Sequence, residues 1–188
     1  MNVYDAMLQR RSIRKFLPKE VPADILREIL QVARLYPSGG NLQPIRFAVV
    51  TNPEKRNTLF ADLRWAMYLP DFTIREQERP TAYIVLLRDD RIRHNCDYDV
   101  GAASTMVMLA AVSYGLATCP IGNFNTKHLT ELLQLEDSLK PELVIALGYP
   151  DQESSVVPMG DSVKYTEDAH GNILVPKWSV EDILISFD

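Results

Sequence analysis

From Val100 to Asn125 the chain reads VGAASTMVMLAAVSYGLATCPIGNFN and carries no formal charge. A stretch like this leaves water on folding, either into a bilayer or into the centre of a domain. Ser104, Thr105, Ser113, Gly115, Thr118 and Pro120 interrupt it, and it has no basic flank. That composition describes a buried helix, a Gly turn and a buried strand rather than a membrane span. The remaining residues must therefore supply layers that cover both elements. The chain has 188 residues, 46% hydrophobic and 24% charged, enough for one domain with a sizeable core.

The covering elements can be placed by periodicity. Val3 to Gln9 is expected as a short amphipathic helix with Val3, Ala6, Met7 and Leu8 inward. A second helix starts at Pro22 and carries Ile25, Leu26, Ile29, Leu30 and Ala33 at helical spacing, ending before Tyr36-Pro37. Arg46 to Thr51 reads as a strand, and Pro53 to about Met67 as a helix. Ala82 to Leu87, AYIVLL, is a continuous apolar run, the pattern of a strand covered on both faces. Asp97 to Tyr114 is the longest helix, and Gly115 ends it. Leu116–Cys119 and Leu143–Leu147 are expected as buried strands, with a short helix capped by Thr126 between them and running to Leu133. Alternating helices and strands make an α/β or α+β layered domain. After Pro150 the sequence is polar and broken, with one amphipathic piece at Val180–Ile185, and is expected to wrap over a partner subunit.

The formal net charge is -5, which argues against nucleic acid as the main partner. Cys96 and Cys119 make no disulfide framework, and no Cys/His spacing suggests zinc, so a reduced cytoplasmic setting is expected. The opening MNVYDAMLQRRS lacks the apolar core of a signal peptide.

Against that acidic balance, QRRSIRKF places Arg10, Arg11, Arg14 and Lys15 close together. In an extended chain Arg10, Ser12 and Arg14 share one face, and two guanidiniums flanking a hydroxyl form a phosphate receptor. A helix would also align Arg10 with Arg14. A solvated basic patch is the plain alternative. A second stretch, YPSGGNLQPIRF, is a polar turn whose glycines let backbone N–H groups approach a planar or anionic ligand. Asn41 and Gln43 carry amides that suit the edge of a heterocycle. An ordinary helix-to-strand turn would look the same.

Together, RRSIRKF and PSGGNLQPIRF resemble the nitroreductase family of FMN-dependent flavoproteins. Asp99 to Gly122 resembles the family's central helix and flavin-contacting strand end, ELVIALGYP its last core strand, and GNILVPKWSVEDIL its C-terminal arm. The resemblance runs from about residue 8 to residue 185. It implies an α+β fold with a central, mainly antiparallel sheet wrapped by helices. It also implies an intertwined homodimer, with residues 1–188 as one domain and 151–188 as an arm on the partner. Two FMN sites would lie at the subunit interface. Arg10, Arg11, Ser12 and Arg14 would hold the phosphate and ribityl chain. Pro37, Ser38 and Gly39 would reach the flavin from the partner, with Asn41 and Gln43 near the ring system. Pro120, Ile121 and Gly122 would line the ring face and the N5 edge, and Lys177 would be a second phosphate contact. Trp178 stands where family members often carry Arg, which weakens that last contact.

By the same resemblance, NAD(P)H would reduce tightly bound FMN and leave, and a small aromatic, quinone or nitro acceptor would then take the electrons. The protein would need no catalytic side chain and no metal. Arg64 is the candidate partner of flavin N1 by position and charge, and residues 64–79 are either a lid or a core edge. No GxGxxG follows a strand, so a Rossmann nucleotide fold is not expected. Ser104 and Ser113 lack a local His or acid, and His94, His128 and His170 are scattered. Reductive dehalogenation, ene reduction and flavin fragmentation occur on similar folds and remain open. So do a flavin carrier or sensor without efficient turnover, and a structural dimer that has lost FMN.

Overall fold

The run Ala82–Leu87 is buried on both faces, and the domain is layered around it. The computed structural model describes residues 2–187. In chain order the helices are α1 (Val3–Gln9), α2 (Ala23–Ala33), α3 (Pro53–Asp62), α4 (Asp97–Ser113), α5 (Thr126–Leu133) and α6 (Val180–Ile183). The strands are β1 (Ile45–Val50), β2 (Ala82–Asp89), β3 (Ala117–Ile121), β4 (Leu139–Gly148), β5 (Ser154–Pro158), β6 (Thr166–Glu167) and β7 (Ile173–Lys177). The main sheet has the order β1-β2-β4-β3, and every neighbouring pair is antiparallel. This is the expected α+β architecture.

Side-chain alternation divides the core in two. Ala82, Ile84 and Leu86 of β2, with Ile145 and Leu147 of β4, face Leu26, Ile29 and Ala33 of α2 and Ala103 and Val107 of α4. Tyr83, Val85 and Leu87, with Val144 and Ala146, face Ile13, Phe16, Leu59 of α3 and Leu129 of α5. The uncharged segment forms the expected helix, turn and strand, with Gly115 in the left-handed region (φ 70°) where the chain reverses into β3. Among the described residues no helix is long and apolar enough to cross a membrane.

Four expectations are corrected. The helix from Pro53 ends at Asp62, not near Met67, because Leu63 is extended and Ala66 is left-handed (φ 46°). The cap of α5 is Asn125 rather than Thr126, since its side chain accepts the His128 amide at 3.1 Å. In α1 only Ala6 is buried; Val3, Met7 and Leu8 are exposed, because none of the described residues covers that face. The tail is not merely broken: β5, β7 and β6 form a second sheet, and the helical piece stops at Ile183. The Asp168 carboxylate accepts the His170 and Asn172 amides and closes the turn between β6 and β7, a side-chain turn that hydrophobic periodicity does not register.

The basic segment is seated across the ends of the main sheet. Ser12 bridges Thr118 in parallel, and the Ile13 amide donates to the Thr118 carbonyl at 2.9 Å. Further on, Phe16 bridges Pro150, and its amide donates to the Glu78 carbonyl at 2.8 Å. The Phe16 ring is fully buried against Gly148, where an added Cβ would lie 3.1 Å from Cδ1. Phe16→Ala should therefore lower the unfolding free energy by about 3–5 kcal/mol, read from the urea midpoint at unchanged slope. A loss below about 1 kcal/mol would mean that Phe16 does not anchor the segment.

Candidate functional site

The Arg10–Arg14 segment leaves α1 in an extended conformation, with Arg10 at φ -56° and ψ 124°. Ile13 turns into the core beside β3, which leaves Ser12 and Arg14 beside the strand's exit. Arg14 lines a cavity of about 230 Å³ with Pro120, Ile121 and Gly122 from the end of β3. Arg64, Trp65 and Met67 form a second wall, and the Arg64 amide donates to the Asn123 carbonyl at 3.0 Å. Tyr165 closes a third side, with the Arg14 Cζ 4.7 Å from its ring centroid. Tyr165 in turn meets Tyr68 edge-on at 5.1 Å. Of the segment 64–79, residues 64–67 line this cavity, and Trp65 also packs against the core. The segment's left-handed Ala66 is the kind of local strain that collects at ligand clamps.

Among the described residues, Arg10, Arg11 and Arg14 have no carboxylate partner, while Lys15 has one in Glu167 at 3.9 Å. Arg11 instead donates to the Arg10 carbonyl at 2.6 Å, and Arg14 to the Ser12 carbonyl at 3.4 Å. Burial, then the like charge of Arg11, lowers the pKa of Arg10. Three neighbouring guanidiniums thus lack a carboxylate counter-charge among the described residues. Arg14 alone of the three lines the cavity; Arg11 lines a neighbouring hollow with Gln9, Ile13 and Gln152.

The second predicted stretch lies elsewhere and is organised differently. Gly40, Asn41 and Gln43 all have positive φ, at 60°, 55° and 51°. Two of the three are not glycine, so the loop is held in a costly shape. Asp99, buried in the first turn of α4, holds it: the Ser38 hydroxyl donates to Oδ1 at 2.5 Å and accepts the Gln43 amide at 2.9 Å. The Gln43 side-chain amide donates to Asn41 Oδ1 at 3.1 Å. Pro37, Gly39, Asn41 and Gln43 are exposed, and none of them lines the Arg14 cavity.

Lys177 does not join Arg14 within this chain. It ends β7 beside Trp178, Ser179 and Asp182, lining a separate hollow. The arm itself divides. Its first part packs on its own chain: the Gln152 side chain accepts the Arg14 amide at 3.1 Å and donates to the Gly171 carbonyl at 3.0 Å. After Lys177, Trp178, Val180, Ile183, Ile185 and Phe187 are all exposed.

Tyr165 and Asp99 were not singled out from the sequence. Tyr165 sits in a polar loop with no periodic signal. Asp99 had one, as the last charge before the uncharged run. No group of three or more His, Cys, Asp or Glu among the described residues could hold a metal ion. Cys119, next to Pro120, is buried, and burial pushes its thiol up to about 11, with only a partial offset from the Arg14 charge. Burial likewise pushes Cys96 up to about 11. Neither thiol should react with a disulfide reagent in the folded protein at pH 7, and both should react after unfolding. Rapid labelling of native Cys119 would make it a redox group of the site.

The model of the Nitroreductase family matches residues 7–149. A provisionally named NADH dehydrogenase/NAD(P)H nitroreductase of Methanothermobacter thermautotrophicus is 31% identical over 156 residues, covering 80% of this chain and 78% of that protein. An iodotyrosine deiodinase of Thermotoga neapolitana is 25% identical over 179 residues, covering 86% of this chain and 95% of that protein. Among solved structures, an FMN-dependent nitroreductase from Clostridium difficile superposes with a TM-score of 0.66 at 27% identity, covering 79% of this chain and 87% of that one. The match includes β3 with the Pro120–Gly122 edge and the basic segment seated beside it, and the chain belongs to the nitroreductase family of oxidoreductases.

Proposed function

We propose that the chain is an NAD(P)H-dependent flavin oxidoreductase that binds FMN tightly and reduces a small aromatic, quinone or nitro acceptor. The observation that carries this reading is Arg14, a guanidinium without a carboxylate partner among the described residues, lining the cavity at the end of β3 in a segment that also carries Arg10 and Arg11. FMN fits that set. Arg14, Ser12, Arg10 and Arg11 supply charged and neutral donors for a phosphate, and Pro120, Ile121 and Gly122 line the cavity wall, the last two carrying backbone N–H groups. Arg64 brings positive charge to the same cavity and is the residue assigned to the N1 side. When bound, FMN supplies the hydride chemistry, taken from NAD(P)H in one half-reaction and given to the acceptor in the next. The protein's own residues hold the phosphate, shape the ring pocket with Trp65, Tyr68 and Tyr165, and keep water out. No side chain need transfer a proton in the reductive step.

A homodimer belongs to this reading. The cavity of about 230 Å³ is smaller than the roughly 300–1,000 Å³ of a complete ligand pocket, so one chain offers only part of the wall. The strained, exposed loop Pro37–Gln43 does not line the Arg14 cavity of its own chain, and a second copy can bring it to the flavin. The exposed apolar faces of α1 and of Trp178–Phe187 supply area to bury in such a dimer. Lys177, adjacent to that exposed segment, is assigned to the phosphate of the assembled dimer. The deiodinase relative supports a second reading, reductive dehalogenation on the same flavin site. The Tyr68–Tyr165 pair suits an aromatic substrate in either case.

Arg14→Glu should abolish FMN retention through gel filtration, while far-ultraviolet circular dichroism stays unchanged. The unaltered protein should show a flavin spectrum that bleaches anaerobically with NADH or NADPH. Full flavin content in Arg14→Glu would overturn the phosphate assignment. Flavin that no nicotinamide bleaches would leave a carrier.

A further inference from the structure

A second cavity, separate from the Arg14 site, lies between α3, the turn at Glu76–Thr81 and the segment Pro18–Glu20. It measures about 260 Å³, and Arg56, Asn57, Phe60, Arg79 and Tyr83 line it. Tyr83 projects from the central strand and is fully buried, yet its hydroxyl has no hydrogen-bond partner among the described residues. Arg79 Nε is buried and equally unpaired. Buried donors without acceptors are rare, because each forfeits its hydration for nothing in return. Here two of them belong to residues lining one cavity.

The charges around the cavity sort cleanly. Arg56 is spoken for: its guanidinium grips both Glu20 carboxylate oxygens, at 3.1 and 3.0 Å, and the Thr81 carbonyl at 2.6 Å. Arg79 has no carboxylate partner among the described residues; it lies 4.4 Å over the Phe60 ring and donates a long bond of 3.3 Å to Asn57. The other acid in the lining, Glu76, is exposed to solvent. Burial raises the Tyr83 pKa although Arg56 and Arg79 pull it down, so the hydroxyl remains a donor at neutral pH. A forked cation on an aromatic plate beside a buried phenol is a receptor for an oxyanion, which accepts from both at once.

We propose that this cavity is a second anion site, in which Arg79 and Tyr83 bind the phosphate or carboxylate end of a small ligand. The site stands apart from the flavin reading. Its Phe60 wall packs 5.5 Å from Trp65, which lines the Arg14 cavity, so the two sites share a wall and no donors.

The test titrates the full chain, with FMN in excess to occupy the Arg14 site, against inorganic phosphate and separately against acetate, at constant ionic strength. Tm and the tyrosine difference spectrum are read for the unaltered protein and for Tyr83→Phe, Arg79→Gln and Arg14→Gln. A saturable rise in Tm with a tyrosine perturbation is expected. It should survive Arg14→Gln and weaken roughly tenfold or more in the other two variants. A response to phosphate alone assigns a phosphorylated ligand, and a response to acetate as well assigns a general oxyanion site. Arg79 is only half-buried, so Arg79→Gln decides the matter if Tyr83→Phe does not fold. The absence of any saturable response overturns the proposal. So does a response lost in Arg14→Gln and kept in both other variants.

Discussion

The seating of Ser12–Phe16 across the ends of β3 and β4 is the contact on which the rest of the site depends. Charged residues that repel one another do not stay together unless something apolar nearby holds the backbone. Ile13 and Phe16 do that work from within the segment, both buried in the core behind β2 and β4. Backbone bonds to Thr118, Tyr149 and Glu78 then fix the register. Among the described residues no carboxylate neutralises the guanidiniums of Arg10, Arg11 and Arg14. Repulsion between Arg10 and Arg11 is a cost the apolar anchors can carry, since burying a Phe side chain is worth about 1.5–3 kcal/mol. Close approach at Gly148 makes the seat narrow: a side chain there would push directly on the Phe16 ring.

A different kind of tension holds the loop at Ser38–Gln43. Its non-glycine residues sit in the left-handed region, a shape that would relax without support. The support is one buried carboxylate. Asp99 accepts a hydrogen bond from the Ser38 hydroxyl at 2.5 Å, and the Ser38 oxygen accepts one from the Gln43 amide, so a helix N-terminus fixes a loop more than fifty residues away in sequence. A loop stiffened in this way, with its side chains turned to solvent, is prepared for a surface that arrives from outside the chain. The loop joins α2 to β1 and is held more firmly than that connection alone requires.

Much of this was legible in advance, for identifiable reasons. The uncharged run Val100–Asn125 and the run Ala82–Leu87 had a single sensible placement each, and both took it. The RRS and PSGG segments were found because charge and glycine are conspicuous against an acidic, apolar background. What stayed hidden followed from side chains acting on backbone. Asn125 outcompeted Thr126 as a cap because its amide oxygen reached the third amide of the helix. Asp168 built the turn between β6 and β7 through its own carboxylate, which let a polar tail form strands. Leu63, an ordinary helix former, ended α3 early by turning extended, and Ala66 beyond it is left-handed, conformations that composition does not announce. The apolar face of α1 was assigned inward because periodicity tells which residues share a face, not whether this chain or another covers it.

The two faces of the sheet have divided their duties. On one, α2 and α4 cover the strands with Leu, Ile, Ala and Val, and neither the Arg14 cavity nor the Tyr83 cavity opens there. On the other, the cover is thinner and carries polar business: the basic segment, the β3 exit, the Trp65 wall and the Tyr83 cavity all lie there. Phe60 and Trp65 mark the border between the two cavities. A change in how Arg79 lies on Phe60 would be felt at Trp65 through contact alone, without movement of the strands. The rigidity of β2 and β4, packed on both faces, is what would keep such a change local.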